Sequence, residues 1–127
     1  ELLKPTHIYS NVLSELSEKK LIHAAAHITG GGIPGNLARI LPKDMDAEIE
    51  LGTWDIPKIF QLIQENGKIK TEEMFNVFNM GIGLILACSS NMVSRINQCI
   101  KKHGFRMCRI GNICKGKGRV KLLNRRI

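Results

Sequence analysis

The stretch Leu21-Ile22-His23-Ala24-Ala25-Ala26-His27-Ile28-Thr29-Gly30-Gly31-Gly32-Ile33 decides how the chain is read. Residues 21–29 are small and apolar, and they read as a buried strand that runs straight into three glycines. Residues 33–41 follow with Ile33, Leu37, Ile40 and Leu41 at helical spacing until Pro42 stops the pattern. Glycines let the backbone bend and let a ligand approach the main-chain amides closely. A helix beginning there aims its unsatisfied N–H groups and the positive end of its dipole at the same point. An anion, most naturally a phosphate, suits such a turn. The lysine of a Walker A loop is missing, and a tight turn with no ligand is the alternative reading.

Working outward, Pro5 holds Lys4 extended, and Ser10 is placed to cap a helix over 11–19 with Val12, Leu13 and Leu16 on one face. Residues 47–51 alternate as a strand with one wet face. Asp55-Ile56-Pro57 opens a helix with proline in its first turn, and Asn66-Gly67 closes it. Thr71-Glu72-Glu73 starts a short helix with two carboxylates at its positive end. Asn79-Met80-Gly81-Ile82-Gly83 leads into an apolar strand over 84–88, and Ser90 caps a helix ending at His103-Gly104. Residues 105–110 and 119–123 read as closing strands, hairpin-like, joined by a loop holding Gly116-Lys117-Gly118. Met74, Phe75, Val77, Phe78, Trp54 and Phe60 read as core. The sum is one domain over 1–127 of the α+β class, with helices packed on a mixed sheet.

Composition agrees: 127 residues, 43% hydrophobic and 24% charged, are values of an ordinary folded domain and argue against disorder. The longest nearly apolar run, 80–88, is far short of the ~20 residues a bilayer requires, and no signal peptide opens the chain, so a soluble, cytoplasmic protein is expected. Charge is divided unevenly. All 11 acids lie in residues 1–73 with 8 Lys/Arg, whereas 74–127 carry 11 Lys/Arg and no acid. A half of one sign suggests an anionic partner or simply a solvated basic face. Only Phe105 among aromatics follows residue 100, which argues against stacking on nucleic-acid bases. Cys88, Cys99, Cys108 and Cys114 show no C-x-x-C spacing, so no zinc site is expected; three of them read as small hydrophobes of a reducing compartment.

Among polar candidates, His23 and His27 share a face but lack a third metal ligand nearby. His27, two residues before the glycines, could hydrogen-bond a phosphate or shuttle a proton, whereas His23 reads as a buried, satisfied histidine. Asn36 and Asn79 stand beside glycines as candidate donors, with turn chemistry as the alternative.

Three segments in series, Pro5-Thr6-His7-Ile8-Tyr9, His23 through Gly32, and Phe78-Asn79-Met80-Gly81-Ile82-Gly83, resemble the C-terminal half of phosphoribosylformylglycinamidine cyclo-ligase, or aminoimidazole ribonucleotide synthetase. The likeness extends over nearly the whole chain. It implies a layered, partly ferredoxin-like α/β domain belonging to a two-domain, homodimeric enzyme of purine biosynthesis that uses ATP and Mg2+. In such an enzyme ATP activates a formyl amide oxygen as a phosphorylated imidate, and the neighbouring amidine nitrogen closes the imidazole ring, expelling phosphate. The resemblance further implies an N-terminal domain, absent from this chain, holding most ATP and metal ligands, so the piece starting at Glu1 is expected to be inactive alone. Carried over by motif, Thr29, Gly30, Gly31 and Gly32 contact a phosphate of ATP or of the phosphoribosyl substrate. His27 becomes the catalytic candidate, and Asn36, Arg39 and Asn79 join the phosphate or nucleotide site. No metal ligand is assigned to this chain. Two positions depart from the family pattern: His7 stands where arginine or lysine is usual, and Gly35 where glutamate is frequent. Other ATP-using members of the superfamily, such as a small-molecule kinase or selenophosphate synthase, would lack the first motif in this form. A non-catalytic basic module binding nucleic acid would instead show affinity falling steeply with salt.

Overall fold

A computed structural model describes residues 2–124. It has five helices, one 3-10 turn and five strands: α1 Ser10–Glu18, β1 Ala24–His27, α2 Gly32–Ala38, β2 Met45–Leu51, α3 Lys58–Gly67, α4 Thr71–Val77, β3 Leu84–Ala87, the 3-10 turn Ser90–Met92, α5 Val93–Lys102, β4 Gly111–Lys115 and β5 Val120–Asn124. The class is α+β, as expected, but the strands form two sheets. One is the ribbon β1-β3, and the other a mixed three-stranded sheet in the order β4-β2-β5.

Two compact units divide the chain. The first holds residues up to Ala25 together with Leu86–Cys108, and the second Ala26–Ile85 together with the residues from Arg109 on. In the first, α1 and α5 bury Val12, Leu16, Leu21, Ile96, Cys99 and Ile100, with Tyr9 and Phe105 packed at the margin. Val12 and Leu16 are four apart, as are Ile96 and Ile100, so each helix presents a single stripe. In the second unit, Ala47 and Ile49 of β2 face Ile33 and Leu37 of α2 and Ala26, Ile28 and Ile85. Met74, Phe75 and Met80 make a neighbouring cluster with Phe60, Ile63 and Phe78.

The three-stranded sheet departs from the sequence reading in an instructive way. β4 and β5 are not hairpin partners. β4 pairs antiparallel with β2, Met45 opposite Lys115 and Ile49 opposite Gly111, while β5 pairs parallel with β2 on its other side, Ala47 opposite Val120. The connecting loop therefore crosses over the start of β2. Asp46, 1% exposed, holds it there: its Oδ1 accepts from the Lys117 and Arg119 amides at 2.7 and 2.9 Å, and Lys121 Nζ lies 3.0 Å from Oδ2. Gly116 is required at this crossing because a Cβ would collide with the Asp46 carboxylate.

Further corrections follow from partners the sequence does not reveal. The strand expected over 105–110 is irregular chain: Phe105 N–H closes α5 on the Ile100 carbonyl, and although the Ile110 carbonyl still accepts from Glu50 N–H at 2.7 Å, β2 ends at Leu51 and offers the preceding residues no partner. The strand expected over 21–29 is confined to Ala24–His27, flanked by single bonds from His23 N–H to the Ala87 carbonyl and from Ile28 N–H to the Gly83 carbonyl. The helix expected over 33–41 spans Gly32–Ala38, after which Ile40 N–H closes a tighter turn on the Leu37 carbonyl. Tyr9 rather than Ser10 occupies the N-cap of α1, Pro57 caps α3 instead of entering its first turn, and Ser90 begins the 3-10 turn, with no side-chain cap at any of the three. Val77 is 45% exposed at the end of α4 rather than core. His23 is exposed, its Nε2 2.9 Å from Ser89 Oγ, so it is not a buried histidine. Cys108 is exposed as well.

Candidate functional site

The glycine loop lies wholly within the second unit. β1 delivers Ile28, whose N–H donates to the Gly83 carbonyl at 2.9 Å; the two glycine motifs thus become neighbours through strand pairing. The chain then turns through Gly30 and Gly31 into α2, and the three glycines have three different reasons to be there. Gly30 has open space around it and no positive φ. Gly31 is left-handed at φ +96°, a backbone that side chains rarely adopt. Gly32, at φ +60°, is buried against α4, where a Cβ would collide with the Phe75 carbonyl and lie 3.0 Å from the Phe78 carbonyl. Backbone therefore packs on backbone at Gly32, bringing the loop against the segment that carries Asn79.

Asn36 sets the direction of the loop. It is 5% exposed, and its Nδ2 donates to the carbonyls of Gly32 at 2.8 Å, Thr29 at 3.2 Å and Gly30 at 3.3 Å. Thr29 Oγ1 donates weakly to its Oδ1 at 3.4 Å. Gathering the carbonyls inward turns the peptide planes so that the exposed Gly30 and Gly31 present N–H groups elsewhere. Among the described residues these two amides meet no protein acceptor, whereas Gly32 N–H closes the turn on the Thr29 carbonyl at 3.1 Å. Free backbone donors on an exposed turn are groups that an oxyanion can engage. The contribution of the helix is smaller than its position suggests, because α2 has only seven residues and Pro34 lies in its first turn. The amides, not the dipole, carry the case.

The remaining candidates are placed unequally. Asn36, expected to touch a ligand, is turned inward and acts on the loop itself. Asn79 Oδ1 accepts from Gly81 N–H at 2.9 Å and its carbonyl from Ile82 N–H at 3.0 Å, so it first of all builds the turn. Met80 is left-handed within that turn and is fixed by Trp54 Nε1 donating to its carbonyl at 3.0 Å. His27 is exposed at the end of β1, two residues ahead of the loop. Arg39 is the C-cap of α2, seven residues beyond Gly32 and thus about 10 Å along the helix axis. The structure brings together Thr29, the three glycines, Asn36 and the chain around Asn79, and sets Arg39 apart. Among the described residues the glycine loop offers outward N–H donors and draws its carbonyls inward onto Asn36, a donor set that suits a phosphate rather than a hard cation, which requires oxygen ligands.

Part of the basic half is neutralised from the acidic half. Lys121 and Arg119 lie 3.0 and 3.6 Å from Asp46, and Lys102 lies 3.0 Å from Glu15. Arg125 and Arg126 fall outside the described residues. No helix among those described is long and apolar enough to cross a membrane.

Residues 1–122 match the family described as AIR synthase related protein, C-terminal domain. The chain is 48% identical over 118 residues to the phosphoribosylformylglycinamidine cyclo-ligase of Bacillus cytotoxicus, and 47% identical over 116 residues to that of Thermodesulfovibrio yellowstonii. These alignments cover 93% and 91% of this chain but 34% of each relative, so the chain spans about a third of their length. In fold it is similar to E. coli HypE, a hydrogenase maturation protein, with a TM-score of 0.68 at 19% identity over 92% of this chain and 36% of that one. It is likewise similar to thiamine-monophosphate kinase from Stenotrophomonas maltophilia, with a TM-score of 0.61 at 14% identity over 84% of this chain and 33% of that one.

Proposed function

Because this chain belongs to the AIR synthase related C-terminal domain family, we propose that it is the C-terminal part of an ATP-dependent ring-closing ligase of purine biosynthesis, converting formylglycinamidine ribonucleotide to aminoimidazole ribonucleotide. The observation that carries this reading is the 45–48% identity to curated cyclo-ligases across some nine-tenths of the chain. ATP and Mg2+ are the co-substrate and metal of the proposed reaction. The acidic ligands of Mg2+ are assigned to an N-terminal domain of the same polypeptide, through which the cytoplasmic enzyme also forms its homodimer. One-third coverage of the relatives supports that division of labour.

Within the proposed site, the Gly30 and Gly31 amides and the Thr29 hydroxyl hold a phosphate, and Gly32 lets the loop sit close against α4. Asn36 positions the loop from behind. His27, exposed beside the loop, moves a proton at the reacting centre, and Asn79 shapes the adjacent turn. Arg39 contributes charge only from a distance.

An assay of aminoimidazole ribonucleotide formation tests the proposal. The polypeptide joined to its N-terminal domain is expected to turn over formylglycinamidine ribonucleotide with ATP, and the 127-residue chain alone to give none. Turnover by this chain without a partner domain would refute the two-domain assignment, and no turnover by the joined protein would refute the reaction.

A further inference from the structure

The first unit contains a cluster that the proposed ligase chemistry does not use. Glu15 lies on α1, Cys99 on α5, and His103 is the C-cap of α5. Cys99 and His103 are four residues apart, and the His103 N–H still donates to the Cys99 carbonyl at 3.3 Å, so the helical register persists and both side chains emerge on one face. That face is turned to α1, where Glu15 adjoins the buried Leu16. One carboxylate oxygen, one imidazole nitrogen and the thiol sulfur all lie within 4.8 Å of one another, and Glu15 Oε2 is 2.6 Å from His103 Nε2.

We propose that Glu15, Cys99 and His103 form a three-ligand Zn2+ site that ties α1 to α5, with a water molecule as the fourth ligand. Bond lengths of about 2.3 Å to sulfur and about 2.0 Å to nitrogen and oxygen give tetrahedral edges of about 3.3–3.5 Å, so the donors need to move by only about an ångström. A thiolate, an imidazole and a carboxylate together select zinc over Mg2+ or Ca2+, which require oxygen ligands. Cys99 is 4% exposed, so the sulfur side of the site is shielded from water.

Two lysines rest on the same carboxylate, Lys19 at 2.5 Å and Lys102 at 3.0 Å, and at first sight they oppose a cation. Their side chains are 51% and 68% exposed on flexible stems, free to pivot into water. Binding also changes what they face. Zn2+ displaces the proton of the Cys99 thiol, and the metal, one thiolate and one carboxylate then sum to zero, so the ammonium groups meet a neutral centre. Sequence spacing alone concealed the site because it looks for C-x-x-C pairs. Here the pair is Cys-x-x-x-His on one helix, and the third ligand comes from 84 residues upstream of Cys99.

The test is titration of the protein with Zn2+, and with Co2+ as a spectroscopic substitute, in the parent and in the C99S and H103Q variants. About one equivalent of Zn2+ is expected to bind and to raise the unfolding midpoint, with reversal by a chelator. Co2+ should give a near-ultraviolet thiolate-to-metal band that C99S abolishes. Each variant should weaken Zn2+ binding by more than about tenfold, since even partners outside the ligand set are worth that much. His103 lies at the rim of the packed face, so H103Q keeps the test decisive if C99S lowers metal-free stability. Absence of the thiolate band, or zinc uptake unchanged by both substitutions, would overturn the proposal and leave an ion network around Glu15.

Discussion

Gly30 and Gly32 are adjacent members of one motif, yet they answer to different physics. At Gly30 a methyl group meets nothing and the backbone is ordinary, so Gly30→Ala should change stability by less than about 0.5 kcal/mol. At Gly32 the clash with the Phe75 carbonyl adds roughly 1–3 kcal/mol and the left-handed backbone about 1–2 kcal/mol more, so Gly32→Ala should be severely destabilising. Urea unfolding of the two variants separates the cases. Asn36 makes a third residue-level prediction. Asn36→Asp replaces a donor facing three carbonyls with a carboxylate that repels them, removing a buried partner that the Gly32 N–H on the Thr29 carbonyl replaces only in part, and should cost about 1–3 kcal/mol, again read by urea unfolding. None of this distinction is visible in the letters Thr-Gly-Gly-Gly, because a glycine reports that a side chain is forbidden or unneeded without saying which.

Among the elements, the crossing of the 116–119 loop over β2 depends on one buried carboxylate. The Arg119 and Lys117 amides, then the Lys121 ammonium, hold the Asp46 carboxyl well below the usual range for an aspartate. A carboxylate depressed in the folded state confers stability that is complete above its unfolded value of about 3.9 and is lost as pH falls below it. Urea midpoints should therefore be insensitive to Asp46 between pH 5 and 7 and fall progressively below about pH 4. Asp46→Asn should lower the midpoint at neutral pH and flatten that acid slope. Elements with their own signals were legible in the sequence: the alternation in β2, the paired carboxylates of Glu72 and Glu73 opening α4, and the glycine ending α5 all correspond to what forms. What failed depended on a distant partner. Residues 105–110 are expected as a strand, but with Gly111 opposite Ile49 and β2 ending at Leu51 the residues before Ile110 have no strand to pair with, and nothing local tells β4 and β5 that β2 lies between them.

For the molecule as a whole, the two glycine motifs matter because folding makes them adjacent, through Ile28 on Gly83 and through Gly32 against Phe75 and Phe78. Their order in the sequence was sufficient to suggest the family. The inward turn of Asn36 and the separation of Arg39 from the loop were not, since both depend on which way a short helix runs. Two backbone amides hold the phosphate in the proposed site, and amide-resolved NMR of the 15N-labelled protein during titration with formylglycinamidine ribonucleotide, alongside inorganic phosphate, observes them directly. The Gly30 and Gly31 resonances are predicted to shift with saturation at the same ligand concentration as each other. If they stay fixed while only the lysine-rich 115–121 segment responds, the anion is held by surface charge and the glycine loop is no more than a turn.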